Sequence, residues 1–117
     1  MMAGIKIAIP LFRNRLSARF EYATEMMILE ACGGEILSTR NIGFDKGMNL
    51  ADRMSEISRS GVSILVCCRP SPCVCRSLME FGIAKAEVPL LQTEIEDIHD
   101  FAREFARDIF SYKICNN

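Results

Sequence analysis

The chain has 117 residues, half of them hydrophobic and a quarter charged, and its formal net charge is −1. This length suffices for one hydrophobic core and is too short for two, so we expect a single domain over residues 1–117. The near-neutral charge argues against binding to nucleic acid or to anionic membranes. No segment reaches the length of a membrane span and no signal peptide is recognisable, so we expect a cytoplasmic protein.

The first third of the chain predicts three strands. Residues 5–10 form a β-branched run that ends at a proline, which is typical of a strand. An irregular basic stretch follows at residues 12–20. Residues 25–31 and 35–42 predict a second and a third strand, and the Gly33-Gly34 pair between them predicts an antiparallel hairpin.

The middle of the chain alternates between helical and strand patterns. Three apolar residues at helical spacing predict a helix that ends before Gly61. These residues are Leu50, Met54 and Ile57. The apolar run at residues 62–66 predicts a buried fourth strand. A second helix is expected to begin after its N-cap Ser71, with Pro72 in its first turn, and to stop at Gly82.

The last third predicts a short strand and a long helix. Residues 88–92 indicate a fifth strand at a sheet edge because Pro89 cannot donate a hydrogen bond. Thr93 and Glu96 form a capping-box pattern, and an apolar stripe follows it: Ile95, Ile98, Ala102, Phe105, Ile109 and Tyr112. The order β-β-β-α-β-α-β-α predicts an α/β fold, a three-layer sandwich with a mixed five-stranded sheet like that of ribonuclease H.

Four of the six cysteines lie within residues 67–75, which we call the cysteine window: Cys67, Cys68, Cys73 and Cys75. Thiolates are soft ligands for iron–sulfur species, copper(I) and zinc, and cytoplasmic cysteine clusters more often bind metal than form disulfides. Consecutive strand residues point to opposite faces, and two helical residues at i and i+2 are about 200° apart. We therefore expect two or three of these thiols to act as metal ligands, not four.

The basic stretch supplies groups that suit an anionic ligand. If the first and fourth strands are parallel neighbours, the basic stretch and the cysteine window emerge at one edge of the sheet. Guanidinium groups would then surround the thiols and neutralise a negatively charged metal–sulfur cluster. These groups belong to Arg13, Arg15, Arg19 and Arg69. Asn14 and Ser17 lie in the same loop, and the helix N-terminus at Ser71 adds backbone donors for an anion.

The opening of the chain resembles a known family. Residues 6–10, 14–20 and 27–30 are similar to the first strand, the R-(V/L)-S-x-x-F loop and the second strand of dinitrogenase iron–molybdenum cofactor biosynthesis domains (NifX/NafY-like domains, also found at the C-terminus of NifB). The likeness extends from Ile5 to about Phe110. Family members often have a Gly-Gly pair where this chain has Cys68-Arg69.

The resemblance implies a function without catalysis. It implies binding and transfer of an iron–sulfur-type metallocluster, such as the iron–molybdenum cofactor or a precursor, between donor and acceptor proteins. Two alternatives stay open: a thiol-based redox or metal-sensing protein with Cys73 and Cys75 as its pair, and an interaction module with buried cysteines. A two-metal nuclease is excluded because the first strand offers no carboxylates. Cys32 and Cys115 are isolated, and we interpret both as structural.

Overall fold

The computed structural model describes residues 4–90 and 96–115, which form seven strands and three α-helices. The strands are β1 (Ile5–Phe12), β2 (Arg15–Leu16), β3 (Glu25–Cys32), β4 (Glu35–Gly43), β5 (Ile64–Cys67), β6 (Ala84–Glu87) and β7 (Lys113–Cys115). The helices are α1 (Leu50–Arg59), α2 (Pro72–Phe81) and α3 (Ile98–Arg107). Short 3-10 turns cover Phe20–Tyr22 and Ile109–Ser111. Among the described residues no helix is long and apolar enough to cross a membrane.

All strands belong to one open, mixed sheet. Its order is β4-β3-β1-β5-β6-β7, with the two-residue strand β2 paired to the end of β1. β1 is antiparallel to β3 and parallel to β5, and β6 is parallel to β5. The prediction that the strand before the cysteine window lies parallel to β1 is confirmed. The carboxyl ends of β1 and β5 therefore lie at the same edge of the sheet.

Two apolar clusters cover the two faces of the sheet. Alternate residues of β1 point to opposite faces, so Ile7 and Ile9 join the cluster that contains Phe101 and Phe105 of α3. Ala8 lies between them and joins the cluster that contains residues of α1 and α2. Helices thus shield both faces of the central strands from water.

The predicted strand count is wrong, since the sheet has seven strands and not five. The strand expected at residues 88–92 lies earlier, at Ala84–Glu87. The amide of Val88 still donates to the Cys67 carbonyl at 2.9 Å, and Pro89, which has no N–H, follows it. Residues 91 and 92 lie outside the described residues. The ribonuclease H-like, three-layer arrangement stays a prediction.

The helix predictions differ in their outcome. α2 begins after its N-cap Ser71 and ends at Gly82, whose positive φ of 68° suits glycine, as predicted. α3 begins at Ile98, after its N-cap Asp97, so the start predicted near Thr93 is wrong, although Thr93 and Ile95 themselves lie outside the described residues. The apolar stripe runs past the end of α3 at Arg107, because a 3-10 turn continues it.

Candidate functional site

The basic stretch folds into a tight hairpin, which we call the basic hairpin (residues 11–19). Leu11 pairs with Leu16 and Phe12 with Arg15. The two turn residues, Arg13 and Asn14, have positive φ angles of 54° and 64°. A two-residue turn with both φ positive matches the right-handed twist of the strands that it joins. The sequence therefore places an arginine at the tip of a rigid turn.

The basic hairpin contacts the cysteine window through the backbone. The amide of Ser17 donates to the carbonyl of Pro10 at 2.8 Å, and the amide of Arg69 donates to the carbonyl of Ala18 at 3.1 Å. The segment at residues 17–18 thus lies between the end of β1 and the residues that follow β5. We call this edge, formed by residues 13–19 and 67–73, the rim. The two segments meet there, as the parallel pairing predicts.

Arg53 of α1 fixes the chain that leaves the hairpin. Its Nη1 donates to the carbonyls of Phe20 and Ala23 at 3.2 and 2.7 Å. Its guanidinium also lies 4.6 Å from the centre of the Phe44 ring. Burial lowers the pKa of Arg53, and the neighbouring Glu21 carboxylate opposes this shift. These contacts hold the base of the hairpin in place, and they could not be predicted from the sequence because they join distant segments.

The first two thiols of the cysteine window point to different faces. Cys67 is 5% exposed and lies in the cluster under α1 and α2. Burial raises the pKa of its thiol to about 12, with Cys75 as the next contributor. Cys68 is half-buried and packs against the opposite cluster, below α3. Burial raises the pKa of Cys68, and Arg69 opposes this shift.

The two thiols of α2 also separate. Cys73 is exposed in the first turn of the helix. Cys75 is half-buried, and the Lys85 ammonium on β6 donates to its sulfur at 3.4 Å. This hydrogen bond raises the pKa of Lys85. Lys85 also pairs with Glu87 at 3.5 Å, and Cys115 is its cross-strand partner on β7. The sequence did not predict this contact because residues 84–87 were not expected to form a strand.

The four thiols consequently do not converge on one point. Among residues 4–90 and 96–115, no group of three or more histidine, cysteine or acidic side chains is placed to hold a metal ion. Cys68 and Cys73 are the thiols of the rim that are neither buried nor hydrogen-bonded to Lys85 in the described structure. The ligand roles of the four cysteines stay predictions.

The remaining predicted site residues divide into exposed and structural groups. Arg13, Asn14, Arg15, Arg19 and Arg69 are all exposed on the rim. Arg15 makes a 3.7 Å ion pair with Glu96.

Ser17 is 5% exposed, and its hydroxyl donates to the Arg19 carbonyl at 2.6 Å. The Ser71 hydroxyl accepts from the Val74 amide at 3.2 Å as the N-cap of α2. Both hydroxyls therefore stabilise local backbone.

Beside the basic hairpin lies a groove that was not predicted from the sequence. Its walls include Phe12, Leu16 and Tyr22, with Arg15 and Arg19 at its border, and its volume is about 460 Å³. Phe12 is 41% and Tyr22 66% exposed. The stretch from Phe12 to Tyr22 could have signalled this groove, since it combines arginines with aromatic residues.

Searches for related proteins give a structural likeness. No family model and no curated protein matches the sequence. A crystal structure of a Methanocaldococcus jannaschii protein, provisionally described as a dinitrogenase, has a TM-score of 0.71 at 19% identity over 100% of this chain and 99% of its own. An NMR structure of the same protein has a TM-score of 0.72 at 19% identity over 99% of this chain and 97% of its own. A further crystal structure has a TM-score of 0.62 at 15% identity over 71% and 78%. At this level of identity, the chain is shown to share the fold of these proteins.

Proposed function

We propose that this chain binds and carries an anionic iron–sulfur-type metallocluster, similar to the iron–molybdenum cofactor or a precursor, without catalysing a reaction on it. In this proposal it is a cytoplasmic protein with a ribonuclease H-like, three-layer fold that receives the cluster from a donor protein and passes it to an acceptor. One structural neighbour, a Methanocaldococcus jannaschii protein that is provisionally described as a dinitrogenase and solved by both crystallography and NMR, supports a nitrogenase-related role.

The 3.1 Å hydrogen bond from the Arg69 amide to the Ala18 carbonyl is the observation on which the proposal depends. It joins the basic hairpin to the cysteine window, so that guanidinium groups and thiols share one exposed edge. A metal–sulfur cluster with net negative charge requires both kinds of group, since thiolates bind its iron and arginines neutralise its charge. Cargo bound at an open rim can leave it again, as transfer requires.

Cys68 and Cys73 are the thiols that we assign to the cargo. Cys68 lies next to Arg69, and Cys73 lies exposed in the first turn of α2, where backbone amides and the helix dipole favour anions. Cys67 is a poor ligand because its side chain is buried in the apolar cluster under α1 and α2, where cargo at the rim cannot reach it. Cys75 is engaged with Lys85. Two protein thiolates would hold a cluster more weakly than four, which suits a carrier.

Anaerobic loading with ferrous iron and sulfide tests the proposal. We expect the wild-type chain to retain iron and sulfide in equal proportion and to gain visible absorption. Cys68→Ser and Cys73→Ser should each reduce the retained iron severalfold. Cys32→Ser is the matched control, because Cys32 is also half-buried but lies at the opposite end of the sheet. Unchanged loading in the Cys68→Ser, Cys73→Ser double variant would refute the assignment.

The electrostatic part of the proposal has its own test. Replacing Arg15, Arg19 and Arg69 by glutamine should weaken loading at low salt, and added salt should narrow the difference from the wild type because it screens exposed charges. All three side chains are exposed, so the fold should persist. Arg40→Gln is the control, since Arg40 is exposed on the edge strand β4.

A thiol-based redox function is the second candidate, and the contact between Cys75 and Lys85 favours it. Disulfide exchange proceeds through attack by a thiolate, and the Lys85 ammonium is a hydrogen-bond donor that already lies 3.4 Å from the Cys75 sulfur. This function requires a reversible disulfide between Cys73 and Cys75, and their separation by about 200° around α2 requires the first turn to unwind. Titration of free thiols in glutathione buffers measures this; two thiols that stay reduced in oxidised glutathione would count against it.

A further inference from the structure

We infer that the groove beside the basic hairpin is a docking site for an acidic, apolar-anchored segment of a partner protein. The inference rests on the proposed function in one respect, because a carrier needs a surface that recognises the acceptor of its cargo. The groove has a volume of about 460 Å³, and residues 15–19 of the rim form part of its lining.

The composition of the groove is that of a protein interface. Aromatic residues and arginine are enriched at binding hot spots, whereas lysine, glutamate and aspartate are depleted. Phe12 and Tyr22 are two of the exposed large hydrophobic residues of the described chain, and both line this groove together with Leu16. An apolar side chain of a partner would cover these rings and remove them from water.

The charge of the groove selects the partner. The residues that line the groove include Arg15 and Arg19 and no acidic side chain, although the whole chain has a net charge of −1. Within the described residues, Arg15 of the groove forms an ion pair with Glu96. The side chain of Glu96 is 88% exposed. An exposed pair of this kind contributes little, so a partner's carboxylates can replace it. Charge complementarity therefore favours an acidic segment.

The walls of the groove are preorganised. Two backbone hydrogen bonds join the segments around it to β1, from Ser17 to Pro10 at 2.8 Å and from Thr24 to Leu11 at 2.9 Å. Arg53 fixes the carbonyls of Phe20 and Ala23 on either side of Tyr22. A rigid binding surface loses little conformational freedom when the partner binds.

Fluorescence anisotropy with a defined probe tests the inference. The probe is a short fluorescein-labelled peptide of glutamates around a central Leu-Phe pair. We expect it to bind the wild-type chain, and we expect Tyr22→Ala to weaken binding about fivefold or more. The Arg15→Gln, Arg19→Gln double variant should weaken it about tenfold or more. Arg40→Gln, an exposed arginine on β4, should leave it unchanged.

Three probe controls decide the chemistry. A peptide with lysine in place of glutamate should not bind, and one with alanine in place of Leu-Phe should bind at least severalfold more weakly. Oligothymidylate should bind more weakly than the acidic peptide, since stacking and charge alone would also attract a single strand. The inference is overturned if oligothymidylate binds more tightly, if no acidic peptide binds, or if Tyr22→Ala has no effect.

The docking site and the carrier function can be refuted separately, because different variants are expected to affect them. Tyr22→Ala should leave iron and sulfide loading unchanged while it weakens peptide binding. The Cys68→Ser, Cys73→Ser double variant should do the reverse. A wild-type chain that binds the peptide and retains no iron would refute the carrier function alone. A chain that loads iron and ignores the peptide would refute the docking site alone.

Discussion

Cys67 and Cys68 are consecutive in the chain and yet lie in opposite environments. Cys67 ends the buried strand β5 and points toward α1 and α2, whereas Cys68 packs toward the other face. The pleat of a strand alternates its side chains, so this separation could be predicted from sequence. The Cys75–Lys85 contact could not, because it depends on where β6 aligns beside β5.

Cys67 should make the protein less stable as the pH rises from about 9 to about 12. The pKa of its thiol is raised from 9.0 to about 12 by burial. Within that window the unfolded chain releases the thiol proton and the native chain keeps it, so the unfolded state binds fewer protons. The free energy of unfolding then falls by up to about 1.4 kcal/mol per pH unit from this group. Denaturation in urea at several pH values measures the slope.

Cys67→Ala should remove this contribution and give a shallower slope, although packing losses lower its stability at every pH. Cys73→Ala is the control, because Cys73 is exposed. Equal slopes for the wild type and Cys67→Ala would show that Cys67 is accessible to water in the native state.

At the scale of elements, α2 could be predicted almost to the residue and β6 could not. The signals for α2 are local: Ser71 as N-cap, Pro72 in the first turn and Gly82 at the end. β6 has the sequence Ala-Lys-Ala-Glu, whose small and charged residues are weak strand formers. It forms a strand because β5 and β7 pair with it on both sides, and those partners come from distant parts of the chain.

Ser71 should act by stabilising the first turn of α2. Its hydroxyl satisfies the Val74 amide, so Ser71→Ala should lower the free energy of unfolding by about 1 kcal/mol. Ser71→Asp keeps an acceptor at the N-cap and should retain most of the stability. Chemical denaturation measures both variants. A Ser71→Asp variant as unstable as Ser71→Ala would show that Ser71 does not stabilise α2 by accepting the Val74 hydrogen bond.

At the scale of the whole molecule, the sheet has a protected centre and exposed edges. β1 and β5 lie in the middle of the sheet, and both are mostly buried. β4 and β7 are its edges, and most residues of β4 are exposed. The parallel half of this arrangement could be predicted from the rule for right-handed crossovers. The position of β7 could not, because a three-residue strand carries too little pattern to be recognised.

Amide hydrogen exchange should follow this arrangement. We expect the amides of β1 and β5 to exchange most slowly and those of β4 and β7 to exchange fastest, since edge strands open without unfolding of the core. Exchange followed by mass spectrometry resolves these peptides. Equal protection of β4 and β1 would show that something covers the β4 edge in solution, such as a second copy of the chain.

The pairing between β1 and β5 spans two residue pairs, Ile7 with Ile64 and Ala8 with Leu65, whereas β1 pairs with β3 at seven positions. Past those two pairs, Ile9 and Val66 are fully buried in the same cluster. The packing of Ile9 against Val66 therefore contributes to the spacing between the ends of β1 and β5, where the basic hairpin and the cysteine window begin. A substitution that enlarges or shrinks Ile9 or Val66 would alter the spacing of arginines and thiols without touching any of them. If the proposed carrier function holds, such core substitutions are expected to change which cluster the rim accepts.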